Sequence, residues 1–204
     1  MTWKLTSKTI VFASGNAGKI REMSAILAPL GMKIKVPSDF PGAPDPVEDG
    51  TTYAENALIK ARALCAFTGL PALADDSGLE VDALNGAPGV YSARYAGTDQ
   101  DAARNRQKVM AELDGVDAAG RTARFVCVIA FVMPGGGEFT FEGECRGLIT
   151  GREQGSGGFG YDPIFFYPPA GMTMAQMTPG AKNAVSHRSR ALAKLCHALK
   201  RGEL

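Results

Sequence analysis

Residues 9–31 read TIVFASGNAGKIREMSAILAPLG. Thr9 to Ala13 is an apolar, largely β-branched run of strand length. Ser14-Gly15-Asn16-Ala17-Gly18-Lys19 is turn chemistry. Ile20, Met23, Leu27 and Leu30 then recur at helical spacing until Gly31 ends the helix. A buried strand, a glycine-bearing turn and an amphipathic helix make one β–α unit, which sets the class as α/β. Lys33 to Val36 adds a short second strand. Residues 37–50 hold four prolines and predict an irregular loop.

Thr52-Tyr53-Ala54-Glu55 has the form of a capping box, so a helix is predicted from there to about Phe67. Two short strands follow, Ala72 to Asp75 and Leu79 to Asp82, broken at Ser77-Gly78. Gly86 to Gly97 is a second irregular loop, and Asp101 to Leu113 predicts a helix ending at Gly115. Arg121 to Met133 is the longest strand, turned by Gly135-Gly136-Gly137 into a hairpin partner over Glu138 to Ile149. Gly155 to Tyr161 is another glycine-rich loop before a strand at Pro163 to Phe166. A last helix runs from His187 to Lys200 with Leu192, Leu195, Cys196 and Leu199 as its apolar stripe and Ser186 as its N-cap. Early β–α units followed by a long hairpin predict a mixed β-sheet with flanking helices.

Composition narrows the function. The chain has 204 residues, 45% hydrophobic and 21% charged, which is ordinary globular usage and enough to build a core without a staple. Its net charge is +1, unlike the strong positive field of a nucleic-acid binder. The longest apolar run, Phe125 to Met133, is nine residues, and a membrane span needs about 18 or more. The apolar stretch before Ser14 is too short for a signal peptide. The four cysteines form no CxxC pair and only two histidines are present, so free thiols and a reduced, cytoplasmic compartment are expected rather than structural zinc.

Several segments carry chemistry. The loop from Ser14 to Lys19 follows a strand and opens a helix, which is the geometry for holding an anion on free N–H groups, with Lys19 as a cation and Asn16 as a donor. It lacks the Walker A spacing, and an ordinary β–α turn is the other reading. Asp75 and Asp76 sit side by side on a strand, so their side chains leave on opposite faces. One could bind Mg²⁺ beside phosphates or activate water, or the pair could cap a turn. Glu48 and Asp49 could add a ligand or stay as solvated loop charges. Asn56 and Lys60 are four apart, on one helical face. Gly155-Ser156-Gly157-Gly158-Phe159-Gly160 matches G-x-G-x-x-G in form only, because Pro163 and a strand follow where a helix should open. Its glycines are expected to bring backbone close to a ligand. Phe159 and Tyr161 would offer faces to a base, and Asp162 acceptors, unless they are core residues at a strand start. His187 and Arg188 place cations in the first turn of a helix, against its dipole. A docked anion or carbonyl would relieve that, and Lys182 lies a few residues upstream.

Together these segments resemble the inosine/xanthosine triphosphate pyrophosphatase family. The resemblance is carried by SGNAGKIREM at 14–23, EDGTTYAENALIKARA at 48–63 and ALADDSGLEVDAL at 72–84. It continues in GAPGVYSARYAG at 86–97, GGFGYDPIFF at 157–166 and SHRSRAL at 186–192. The motifs keep family order and span almost the whole chain. The resemblance implies one domain over residues 1–204, an elongated two-lobed fold on a long mixed sheet with the active cleft between the lobes. It implies hydrolysis of ITP, dITP, XTP and dXTP to the monophosphate and pyrophosphate with Mg²⁺, by a cytoplasmic homodimer that cleans the nucleotide pool, with neither nucleic acid nor membrane as partner.

Carried over by motif, Ser14, Gly15, Asn16, Ala17, Gly18 and Lys19 would hold phosphate or sugar, with Lys60 as a phosphate partner. Asp76 would bind Mg²⁺ and activate water, with Asp75 as a supporting carboxylate and Ser77 touching substrate beside it. Phe159, Gly160, Tyr161, Asp162, Lys182, His187 and Arg188 would line the nucleotide pocket. Many bacterial members begin an acidic pair one position earlier, where this chain has Val47; Glu48 stands next to it as the substitute metal ligand. Arg188, which has only donors, would favour the O6 acceptor of hypoxanthine and xanthine over the N6 donor of adenine. Rival readings are a nucleotide sensor without turnover, a Rossmann-type oxidoreductase and a pyrophosphatase for pyrimidine or modified nucleotides.

Overall fold

The computed structural model describes residues 8–204. The stretch read against a signal peptide begins in residues 1–7, which lie outside the described residues. Seven strands form one mixed sheet in the order β2-β1-β3-β4-β5-β6-β7. They are β1 (Thr9–Phe12), β2 (Lys33–Lys35), β3 (Ala72–Val81), β4 (Thr122–Val132), β5 (Glu138–Ile149), β6 (Phe165–Tyr167) and β7 (Met172–Thr173). Strand β1 runs parallel to β2 and β3, whereas β6 is antiparallel to β5 and β7. The helices are α1 (Ala17–Leu27), α2 (Tyr53–Thr68), α3 (Ala102–Glu112), α4 (Pro179–Val185) and α5 (His187–Arg201). The chain divides into two compact units, the first ending at Asp76 and taking in 127–143 and 188–204, the second holding 77–126 and 144–187.

In the first unit, strand alternation sorts the core into two layers. Ile10 and Phe12 of β1 pack with Met23 and Leu27 of α1 and Leu192 and Leu195 of α5. Val11, between them, packs with Ala57, Ala61 and Leu64 of α2. A sheet covered on both faces needs apolar side chains on both, which is why TIVF reads as a continuous run. Helix α1 closes through a 3-10 turn at 28–30 and a left-handed Gly31 at φ 68°. Helix α2 opens on the predicted capping box: Thr52 Oγ1 accepts from Glu55 N (3.2 Å) and Glu55 Oε2 accepts from Thr52 N (3.0 Å). The hydrogen bonds from Thr51 and Thr52 hold the Glu55 carboxyl below its ordinary pKa.

The second unit has its own core of Leu79, Val81, Val109, Phe125, Tyr161, Phe165 and Met174. Three features depart from the sequence expectation. Residues 72–81 form one strand, not two. Ser77-Gly78 stays extended because both flanks are buried and the Leu79 N–H donates to Ser92 Oγ (2.8 Å). The strand expected at Pro163 starts later, at Phe165, because Asp162–Ile164 is a 3-10 turn with proline at its start, where a missing N–H does no harm. Helix α4 and strand β7 are short and were not predicted. All four cysteines are free; Cys65, Cys127 and Cys145 are buried and Cys196 is half-buried.

Replacing the reciprocal cap tests the local logic of α2. Thr52→Ala is expected to lower stability by about 1 kcal/mol, read from the shift in urea unfolding midpoint.

Candidate active site

The first unit gathers a dense polar cluster around the middle of β3. Alternation along the strand separates the two carboxylates: Asp75 leaves on the α1/α5 face with Leu73, and Asp76 on the α2 face with Ala72 and Ala74. Asp75 is 1% exposed. Its Oδ2 takes the Lys19 ammonium at 3.1 Å and accepts from Arg188 Nε (3.1 Å) and Nη2 (3.0 Å). Arg188 Nη1 donates to Glu22 Oε2, one turn from Lys19 on α1. Burial alone would raise the Asp75 pKa. The charges of Lys19, Arg188 and Lys60 outweigh it and hold the carboxyl far below the usual carboxylate range. Arg188, itself 1% exposed, is disfavoured as a cation by burial, but Asp75, Cys127 and Glu22 more than restore it. Cys127 sits beside this pair, and burial, reinforced by Asp75, pushes its thiol up to about 12.

Asp76 has the opposite environment. Burial raises its pKa, the charges of Lys60 and Lys19 and a hydrogen bond from Asn56 resist, and Glu48 pushes it up further. Asn56 Nδ2 donates to Asp76 Oδ2 (3.1 Å), and Lys60 Nζ donates both to Glu48 Oε2 (2.8 Å) and to the Asp75 carbonyl (2.9 Å). The predicted i, i+4 face of α2 is therefore turned toward both aspartates. Val47 is 78% exposed.

Two expectations for this unit change. Asn16 caps α1 through Oδ1, which accepts from Gly18 N (2.9 Å) and Lys19 N (3.1 Å), so those two amides are engaged within the protein. Ser14 Oγ accepts from Asn16 N (3.2 Å), while Gly15, Asn16 and Ala17 stay exposed. Lys19 is held by Asp75 rather than loose. The anions that favour Arg188 at a helix start are the protein's own Asp75 and Glu22. All three guanidinium nitrogens donate to carboxylates. Glu22 and Cys127 had no local signal, since their partners lie far away in sequence.

In the second unit Lys182 of α4 and Asp162 form a buried pair at 2.6 Å. Asp162 Oδ2 also accepts from Phe159 N (2.7 Å), and the Lys182 ammonium lies 4.4 Å from the Phe159 ring centroid. Gly158 makes this possible: at φ +69°, a Cβ there would sit 2.1 Å from Asp162 Oδ2. Gly155 and Gly157 approach the protein itself, for a Cβ on either would meet the Ala175 backbone, at 2.6 and 2.8 Å, whereas a Cβ on Gly160 would meet nothing within 4 Å. Tyr161 is a core residue whose hydroxyl donates to the Ser92 carbonyl (2.7 Å), not a face for a base. The Gly160 carbonyl accepts from Arg106 Nη1 (2.9 Å). His187 stacks on Phe125 at 4.8 Å between centroids, and Ser77 is half-buried on β3.

Comparison with known proteins covers nearly the full chain. Residues 10–198 match the model of the Ham1 family. The chain belongs to that family. It is 52% identical over 188 residues to the dITP/XTP pyrophosphatase of Geobacillus kaustophilus, covering 92% of each chain. It is 53% identical over 186 residues to that of Geobacter sulfurreducens, covering 91% of this chain and 94% of the relative. The solved structure of a HAM1 protein from Coxiella burnetii superposes with a TM-score of 0.85 at 45% identity, over 95% of this chain and 98% of that one. The α/β fold with its mixed sheet is thus the fold of the family.

Neighbouring carboxylates with such different surroundings should respond differently to neutralisation. Removing one partner of a buried ion pair costs about 3–5 kcal/mol, so Asp75→Asn is expected to lose that much in urea unfolding at neutral pH. Asp76→Asn removes a charge that burial disfavours, so its stability should equal or exceed the parent's in the same measurement.

Proposed function

We propose that this protein hydrolyses the triphosphates of deaminated purine nucleosides, ITP, dITP, XTP and dXTP, to the monophosphate and pyrophosphate. The observation that carries the proposal is the split between Asp75 and Asp76. One carboxylate is neutralised by Lys19 and Arg188 and so is structural. Its neighbour leaves on the other face of β3, where Asn56 Nδ2 donates to it and burial raises its pKa, as suits a group that handles a proton. The relatives from Geobacillus and Geobacter bear the name dITP/XTP pyrophosphatase, which supports the same substrate class.

Water attacks the α-phosphorus, the bond from that phosphorus to the bridging oxygen breaks, and pyrophosphate leaves. Asp76 accepts the proton of the attacking water. Lys19 and Lys60 balance charge on the phosphates, which is most of what phosphoryl transfer requires. The loop from Ser14 to Ala17 offers polar contacts at the entrance of α1, and Ser77 lies next to Asp76. Phe159, Gly160, Asp162, Lys182 and His187 supply the nucleoside contacts.

The donor set suits a magnesium ion. No three His, Cys, Asp or Glu residues gather into a metal cage among the described residues, and Mg²⁺ ordinarily takes only one or two carboxylates besides phosphate and water oxygens. Asp76 and Glu48 would be that pair. They lie within electrostatic reach of each other, since Glu48 raises the Asp76 pKa. The ion would lower the charge on the phosphates. In this reading the enzyme is a cytoplasmic homodimer. No helix among the described residues is long and apolar enough to cross a membrane.

The test is pyrophosphate release from ITP, XTP, ATP and GTP, with Mg²⁺ or with EDTA. Turnover of ITP and XTP should exceed that of ATP and GTP, stop with EDTA and fall at least about 100-fold in Asp76→Asn. Tight ITP binding without release of pyrophosphate would instead identify a sensor.

A further inference from the structure

Asn56 sits one turn before Lys60 on the inward face of α2 and is almost fully buried. Its amide makes two bonds of opposite sense. Oδ1 accepts from the Gly50 N–H at 2.9 Å, and Nδ2 donates to Asp76 Oδ2 at 3.1 Å. The partners fix the amide orientation, because a peptide N–H can only donate and an ionised carboxylate only accepts. Gly50 follows Glu48 by two residues, so one buried side chain ties the Glu48 loop to Asp76. The approach at Gly50 is close: a Cβ there would meet Asn56 Oδ1 and Glu55 Cβ, each at 2.7 Å.

A plain packing contact between α2 and β3 needs no amide here. Ala57 and Ala61, on the same buried face, make such contacts with apolar atoms alone. Burying an amide is costly unless both of its ends are bonded, and this one is bonded at both ends to the proposed reaction machinery. The bond from Asn56 holds the Asp76 carboxylate in one of its side-chain rotamers. A displacement of about 1 Å in a reacting group costs on the order of 100-fold in rate.

We infer that Asn56 is a positioning residue that fixes the Asp76 carboxylate and sets the Glu48 loop against it. This inference rests on the proposed role of Asp76 as the carboxylate that activates water. Asn56 touches neither substrate nor water in this role; it acts through Asp76.

Asn56→Asp separates positioning from packing. It keeps the size and the acceptor for Gly50, replaces the donor that faces Asp76 and puts a second carboxyl beside it. With ITP and Mg²⁺, kcat is expected to fall about 10- to 100-fold while KM stays within about threefold of the parent. Melting temperature and circular dichroism report the folded fraction at assay temperature. A kcat within about twofold of the parent, or a loss no larger than the loss of folded protein, overturns the inference and leaves Asn56 a tie for the Gly50 loop. Should the aspartate variant not fold, Asn56→Ser gives the same reading without added charge, since its hydroxyl is too short to bridge both partners. A fall in kcat at steady KM supports positioning, and a change confined to KM overturns it. The parent and Asp76→Asn run alongside. Failure of the parent to release pyrophosphate, or full activity in Asp76→Asn, overturns the role of Asp76 and this inference together. Loss in Asp76→Asn with full activity in Asn56→Asp overturns this inference alone.

Discussion

The ionised carboxylate of Asp75, closed off from water in the middle of β3, is the constraint that the rest of the first unit answers. Such a charge is several kcal/mol unfavourable in a protein interior unless it is paired and hydrogen-bonded. Lys19 from α1 and two nitrogens of Arg188 from α5 meet one of its oxygens. Both helices are thereby fixed against the strand at one point, next to the apolar layer of Ile10, Phe12, Met23 and Leu192. The same contact resolves the conflict of an arginine at a helix start. The opposing helix dipole is worth about 0.3–1 kcal/mol, much less than a pair of carboxylates in low dielectric.

That neutralisation leaves Asp76 distinct. Strand geometry turns it to the other face, where α2 offers an amide and a lysine instead of an arginine clamp. Burial raises the proton affinity of both carboxylates; at Asp75 the cations outweigh it, and at Asp76 they do not. In the second unit Lys182 and Asp162 form a comparable buried pair, roofed by Phe159 and permitted by a glycine where any side chain would strike the carboxylate.

Much of the fold was legible because it rests on short-range rules. The capping box at Thr52 and Glu55, the helix start near Asp101 and the helix end at Gly31 each depend on residues within one turn. The face shared by Asn56 and Lys60 follows from helical spacing, and the opposite exits of Asp75 and Asp76 from strand spacing. The break expected at Ser77-Gly78 failed because glycine permits a turn but does not impose one, and burial of both flanks kept the chain extended. Tyr161 read equally well as a base platform or a core residue. Only the Ser92 carbonyl, distant in sequence, decided for the core.

By itself the sequence determined the α/β class, the order of the longer elements, the capping box of α2 and the family. These follow from local propensity, from periodicity and from motifs that each lie within one short segment. The partner of each charge belonged to the tertiary structure. Arg188 meets Asp75 across 113 positions and Glu22 across 166. Such pairings decided that Arg188 clamps Asp75 and Glu22, and that Lys19 is anchored. A motif fixes which groups are present; the energy of a buried charge depends on what the topology brings within a few ångströms of it, and no local pattern records that.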